Sequence, residues 1–162
     1  MSKFTIQLEG GQTLTRKLSA LDAVTRQGIV KANQRTAIDV QREAKRNCPH
    51  FYGHLKASIK FTLSLGGLIG EVGTDLLYAA AVEFGAGPHV VPFRALFEWA
   101  RLKFGLDDER AGATAAAVQK HIAETGTPPH PYLFPAWEFY RPHYMARLRQ
   151  AFGIAAEKAA QS

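Results

Sequence analysis

The chain has 162 residues, enough for one domain that buries its own core. The 46% hydrophobic and 21% charged fractions are those of an ordinary globular protein. No apolar run approaches the roughly 20 residues of a membrane helix, and a single cysteine excludes an internal disulfide and fits a reducing compartment.

The net charge of +6 permits contact with phosphates without requiring it. The cations are spread over the first long helix and the C-terminal segment, with no dense Lys/Arg run. The N-terminus, Met1 to Ile6, lacks the apolar core and cleavage site of a secretory signal.

Residues 3–8 alternate, with Phe4, Ile6 and Leu8 on one face, which predicts a half-buried strand. Glu9 to Gln12 is a turn. A long helix is expected from about Ser19 to Asn47, capped by Ser19 or Asp22 and stopped before Pro49. Val30, Ala37, Val40 and Ala44 form its apolar face, and Arg35, Asp39, Arg42, Glu43 and Arg46 decorate the others. Gly28 either weakens it or admits a close neighbour.

Cys48, His50 and His54 can be drawn as metal ligands, but the fourth ligand of a zinc site is missing. Cys48 with a histidine makes no nucleophile pair without a third orienting group. The plainer reading is a Pro/Gly turn and a short helical segment that packs Leu55 and Ile59 on the core. Residues 59–65 alternate strictly, Gly66-Gly67 turns, and Leu68 to Gly73 returns, which predicts a β-hairpin. Thr74-Asp75 then caps a helix leading into Tyr78–Gly85.

Pro92 to Gly105 reads as an amphipathic helix with Phe93, Leu96, Trp99 or Ala100, and Lys103 or Phe104 on its stripe. Asp107 or Asp108 caps a second helix to about Thr125, with Ala111, Thr114, Ala115, Val118 and Ile122 inside and Gly126 at its end. Trp99 and Phe104 read as core rather than as ligand-stacking aromatics. Thr127 to Pro131 is a stiff extended segment. A last helix is expected from about Ala136 to Ala160, with Trp137, Tyr140, Tyr144, Leu148 and Phe152 on its apolar face and a kink or start at Pro142.

The order of these parts is characteristic: Ala44-Lys45 to Pro49, then Gly53-His54-Leu55-Lys56-Ala57-Ser58-Ile59, then a hairpin, then Tyr78 to Gly85, then Pro131-Tyr132-Leu133-Phe134-Pro135-Ala136. Over roughly Ala37 to Ala136 it resembles the tail-completion (head–tail joining) proteins of long-tailed bacteriophages, minor tail components of the neck. Two positions depart from that family's pattern: Ala86 stands where a Thr or Ser is usual, and Tyr52 where a Thr is usual.

The resemblance implies an α+β fold. A small antiparallel sheet, made of the N-terminal strand and the hairpin, packs on the long N-terminal helix and a C-terminal helix. Residues 1–162 would form a single tail-completion domain, with 88–131 as a helical-hairpin insertion. It further implies a structural virion protein, assembled in the host cytoplasm into a neck ring, with a hexamer as the expected form. Its partners would be other copies of itself, a head-completion protein and a tail terminator or tail tube protein, with DNA passing through without specific binding. No enzyme activity, cofactor, metal or membrane is implied.

The surfaces expected to meet neighbours are the hairpin tip (Leu65, Leu68, Ile69), the Tyr78–Gly85 stretch (Tyr78, Ala80, Glu83, Phe84) and the Pro-rich return (Pro128, Pro129, Tyr132, Phe134). Two other classes compete. A basic nucleic-acid-binding module would gather its cations on one face. A hydrolase would bring Glu83 together with His89 or His130 in a pocket.

Overall fold

The computed structural model describes residues 4–7, 23–49 and 53–160 of the protein. The expected caps Ser19 and Asp22, the turn at Glu9 to Gln12, and His50 to Tyr52 lie outside the described residues. The chain divides into two compact units. One comprises residues up to Ala79 and from Pro131 onward, the other Ala80–His130.

The first unit carries the sheet. Strands β1 (Phe4–Gln7), β2 (Lys60–Ser64) and β3 (Ile69–Thr74) lie in the order β1-β3-β2, and both pairings are antiparallel. Phe4 pairs with Thr74 and Phe61 with Val72. Strict alternation holds the β2–β3 register, because a slip of one residue would turn every inward side chain outward. A tight 3-10 turn, Leu65–Gly67, joins the two strands, and Leu65 itself takes a φ of 50°.

Helix α1 (Ala23–Asn47) is the member against which the others pack: the hairpin lies on it, and the long helix α6 (Leu133–Ala160) runs along it. Its buried line is Ile29, Ala32, Ala37, Val40 and Ala44, interleaved with polar Asn33, Thr36 and Asp39. Ile29 therefore heads the core stripe, and Val30 is only partly buried against it. Gly28 admits a close neighbour. A Cβ there would stand 2.7 Å from the Cβ of Ala151, so a side chain at 28 would push α6 away.

The short helix α2 (His54–Ser58) buries Leu55 and is followed by fully buried Ile59, as the spacing of four requires. Helix α6 starts three residues before Ala136. Pro135 falls in its first turn, where backbone N–H groups have no intrahelical acceptor, so a proline there removes no bond. Tyr132, Leu133 and Ala136 are fully buried at this entry. Pro142 lies inside α6 rather than at its start. Both it and Glu138, whose carbonyl loses its partner, are exposed, so water can take the place of the missing N–H.

In the second unit, helix α3 (Ala79–Phe84) leads to α4 (Phe93–Phe104) and α5 (Asp108–Thr125), which pack on each other. Asp107 caps α5, its side chain accepting from the Arg110 N–H at 2.9 Å. Leu96, Ala115 and Ile122 form the shared core, with Val91, Phe97 and Val118 against it. Phe93 and Phe104 fall outside that core. They are exposed, and Trp99 meets Phe104 edge-on at 5.3 Å between ring centroids. The small residues Ala100, Ala111 and Ala115 occupy the buried positions instead, which lets the two helices come close.

Candidate assembly surface

The polar groups of the first unit are largely committed to its own packing. The Asn33 side-chain amide donates to the carbonyls of Gly67 (2.9 Å) and Leu68 (2.7 Å), which fixes the hairpin tip on α1. Its carbonyl oxygen accepts from the Tyr144 hydroxyl at 2.9 Å, which fixes α6 on the other side. One turn further, Arg147 donates to Thr36 Oγ1 at 2.9 Å and to Asp39 Oδ2 at 2.6 Å, and Arg42 donates to the other carboxylate oxygen of Asp39. Burial pushes the Tyr144 phenol above its ordinary value.

This network was not anticipated from the sequence. Its signal is the appearance of Asn33 and Thr36 in helical register with Ile29, Ala37 and Val40. A polar side chain on a core line must find partners, but nothing local names Tyr144 and Arg147 as those partners.

The expected contact residues divide by burial. At the hairpin tip, Leu65 is exposed and Ile69 half-buried, but Leu68 is only 6% exposed because it packs on Ile29. Leu68 is thus a core residue of the chain rather than a presented one, and Tyr132 is fully buried in the same sense. Tyr78 and Phe134 are exposed. Sequence reading missed Leu77, which is 77% exposed beside Tyr78, and Phe139 on α6. Phe139 packs its ring against Tyr140 and His143, with centroids 5.0 and 5.8 Å away.

In the second unit, a two-residue ladder holds the end of α3 beside the proline run. Ala86 N–H donates to the Thr127 carbonyl at 3.0 Å, Thr127 N–H returns to Ala86 at 2.8 Å, and His130 N–H donates to Val82 at 2.7 Å. Gly126 makes this approach possible. It takes a φ of 82°, and a Cβ on it would strike the Ala86 carbonyl oxygen. Phe84 (65%), Val90 (79%), Pro128 and Pro129 are exposed, and Ala80 is half-buried.

Glu83 is 1% exposed. Its carboxylate is therefore not offered to another subunit, and the expectation of an intersubunit partner gives way to a role inside the chain. His89 is exposed, with Nδ1 2.8 Å from the Gly87 carbonyl, and the His130 side chain is exposed as well. Both imidazoles thus lie at the surface, whereas the Glu83 carboxylate is buried. Cys48 is buried, and its thiol is pushed up by that burial, partly offset by the Lys56 charge. That is the opposite of an activated thiolate. Among the described residues no group of His, Cys, Asp or Glu has the arrangement of a metal site, and no helix is long and apolar enough to cross a membrane.

These features define a class: an α+β protein whose buried polar side chains lock its helices together and which leaves several large apolar side chains at its surface. Residues 12–85 match the family model described as "Bacteriophage HK97-gp10, putative tail-component". The match supports the phage tail and neck family that the order of motifs indicated, and it ends at Gly85, ahead of α4 and α5. A tail component is a structural part of the virion. No curated protein and no solved structure gives a significant match to the chain.

Proposed function

We propose that this protein is a structural subunit of the phage neck, closing into a ring of identical copies between the head connector and the tail. The observation that carries the reading is the set of large apolar side chains left on the surface of a well-packed chain: Leu77, Tyr78 and Phe134 in one unit, Phe84 and Val90 in the other. Together with the tail-component match over residues 12–85, these are the side chains a neighbouring copy would cover. A ring needs two different patches on each chain, because only head-to-tail contacts close cyclically beyond a dimer. The hexamer, the head-completion and tail-terminator partners, and passage of DNA through the ring belong to this proposal.

Cryo-electron microscopy of the particle that carries this chain tests it. The expected map places the protein in a ring with sixfold or twelvefold copies. A single copy, or a location away from the head–tail junction, overturns the reading. A companion variant, Phe134→Ser, keeps the free chain's stability within about 0.5 kcal/mol, as exposed positions do, and lowers its incorporation into particles. Unchanged incorporation removes Phe134 from the interface.

A further inference from the structure

The charge of the chain is unevenly placed. Residues 80–130 carry five Lys/Arg and six Asp/Glu, so the whole positive balance of +6 comes from the rest of the chain. Within that remainder, α1 brings six cations and two acids: Arg26, Lys31, Arg35, Arg42, Lys45 and Arg46 against Asp39 and Glu43.

Both acids are engaged. Asp39 is buried between Arg147 and Arg42, so one carboxylate faces two guanidinium groups and leaves a full positive charge over. Glu43 pairs with Arg46 at 3.1 Å and cancels it.

Four of the five remaining cations fall on one line; Arg26 lies off it, its guanidinium near Gly66 at the hairpin tip. At about 100° per residue, Lys31, Arg35, Arg42 and Lys45 lie within an arc of about 80°. That arc is opposite the buried line through Ile29, Thr36 and Val40. Lys31, Arg35 and Arg42 are exposed and Lys45 partly so. Exposed Gln27 and Gln34 border the same line and add hydrogen-bond donors, and Ile38 is the sole large apolar side chain on it. From Lys31 to Lys45 the stripe is about 21 Å long at 1.5 Å per residue. One strand of duplex DNA presents about six phosphates over that length.

We propose that the outer face of α1 is a sequence-independent contact surface for the phosphate backbone of duplex DNA, with Lys31, Arg35, Arg42 and Lys45 as the contacting cations. The spacing suits a polyanion with evenly repeated charge. The near absence of large apolar side chains argues against a protein partner, which would need an anchor there. The surface depends on charge and helix geometry alone, so it stands whether or not the chain closes into a ring.

The test is fluorescence anisotropy of the full chain with two unrelated duplexes of about 25 base pairs, titrated from about 25 to 200 mM salt. Four phosphate contacts predict a log–log salt slope of about −3.6, the same for both duplexes. The double variant Lys31→Ala/Arg35→Ala, both positions exposed and outside the core, lowers the magnitude of that slope by about 1.8. Arg35→Lys keeps the slope. Lys120→Ala in the other unit leaves it unchanged. Three results overturn the proposal: no saturable binding at the lowest salt, a slope indifferent to the double variant, or poly-glutamate binding as tightly as DNA. The last would assign the stripe to an acidic protein face.

Discussion

Asn33 is the residue on which the first unit turns, and its replacement has a calculable effect. Asn33→Ala removes two bonds to the hairpin carbonyls and one from Tyr144, all within a buried site. At about 1 kcal/mol net for each bond, and more where a buried partner is left unsatisfied, the loss is about 3 to 5 kcal/mol. For a chain of this size, the lower figure corresponds to a melting point about 6 to 12 °C lower. Tyr144→Phe breaks one of the three and costs about 1 to 2 kcal/mol. Since the two side chains share a bond, the double variant is about 1 kcal/mol less destabilised than the sum of the singles. Urea unfolding followed by Trp137 fluorescence reads this directly, because that indole lies 6.0 Å from the Tyr144 ring. A Trp99→Phe background removes the signal of the second unit. A cost for Asn33→Ala below about 0.5 kcal/mol, the range of an ordinary surface change, would refute the bridging role. Strict additivity would show that Asn33 and Tyr144 act separately.

Two further outcomes follow from the same geometry. Gly126→Ala forces a side chain onto a left-handed backbone and into the Ala86 carbonyl, at a cost of about 2 kcal/mol or more. Hydrogen exchange at Ala86, Thr127 and His130 should quicken, and unchanged protection would contradict the described ladder. Cys48, buried and with its thiol pushed up, should react with a chromogenic disulfide at pH 8 about tenfold or more slowly than in urea. Equal rates in the two conditions would place the thiol at the surface.

The sequence was most informative where one local rule decided the outcome. Alternation located β2 and β3, Asp107 and Gly105 marked helix ends, and the spacing of Leu55 and Ile59 put both in the core. It was least informative where distant residues decide. Asp39 reads as a solvated charge between Arg35 and Arg42 until Arg147, 108 positions later, reaches it. Leu68 reads as a loop tip until Ile29 covers it. Trp99 and Phe104 read as core by helical spacing, yet Phe104 is exposed and the α4–α5 seam is built from Leu96 and Ile122 with the small Ala100, Ala111 and Ala115 between them. Of the side chains proposed for contact, only some carry a signal in the sequence. Tyr78, Phe84 and Phe134 are exposed as an interface requires, whereas the exposure of Leu77 and Val90 has no sequence signature.

The ladder between Ala86 and Thr127 has a consequence for how this chain can vary. The backbone leaves and returns across one pair of hydrogen bonds, so everything from 87 to 126 is a single excursion with adjoining ends. Closing such an excursion costs free energy only as the logarithm of its length, about 0.6 kcal/mol for a doubling. Insertions and deletions within it are therefore inexpensive, provided Gly126 and the Ala86–Thr127 pair survive. That makes the ladder a natural splice point: another helical pair, a short linker or a foreign tag could be grafted there while β2, β3, α1 and α6 keep their sequences.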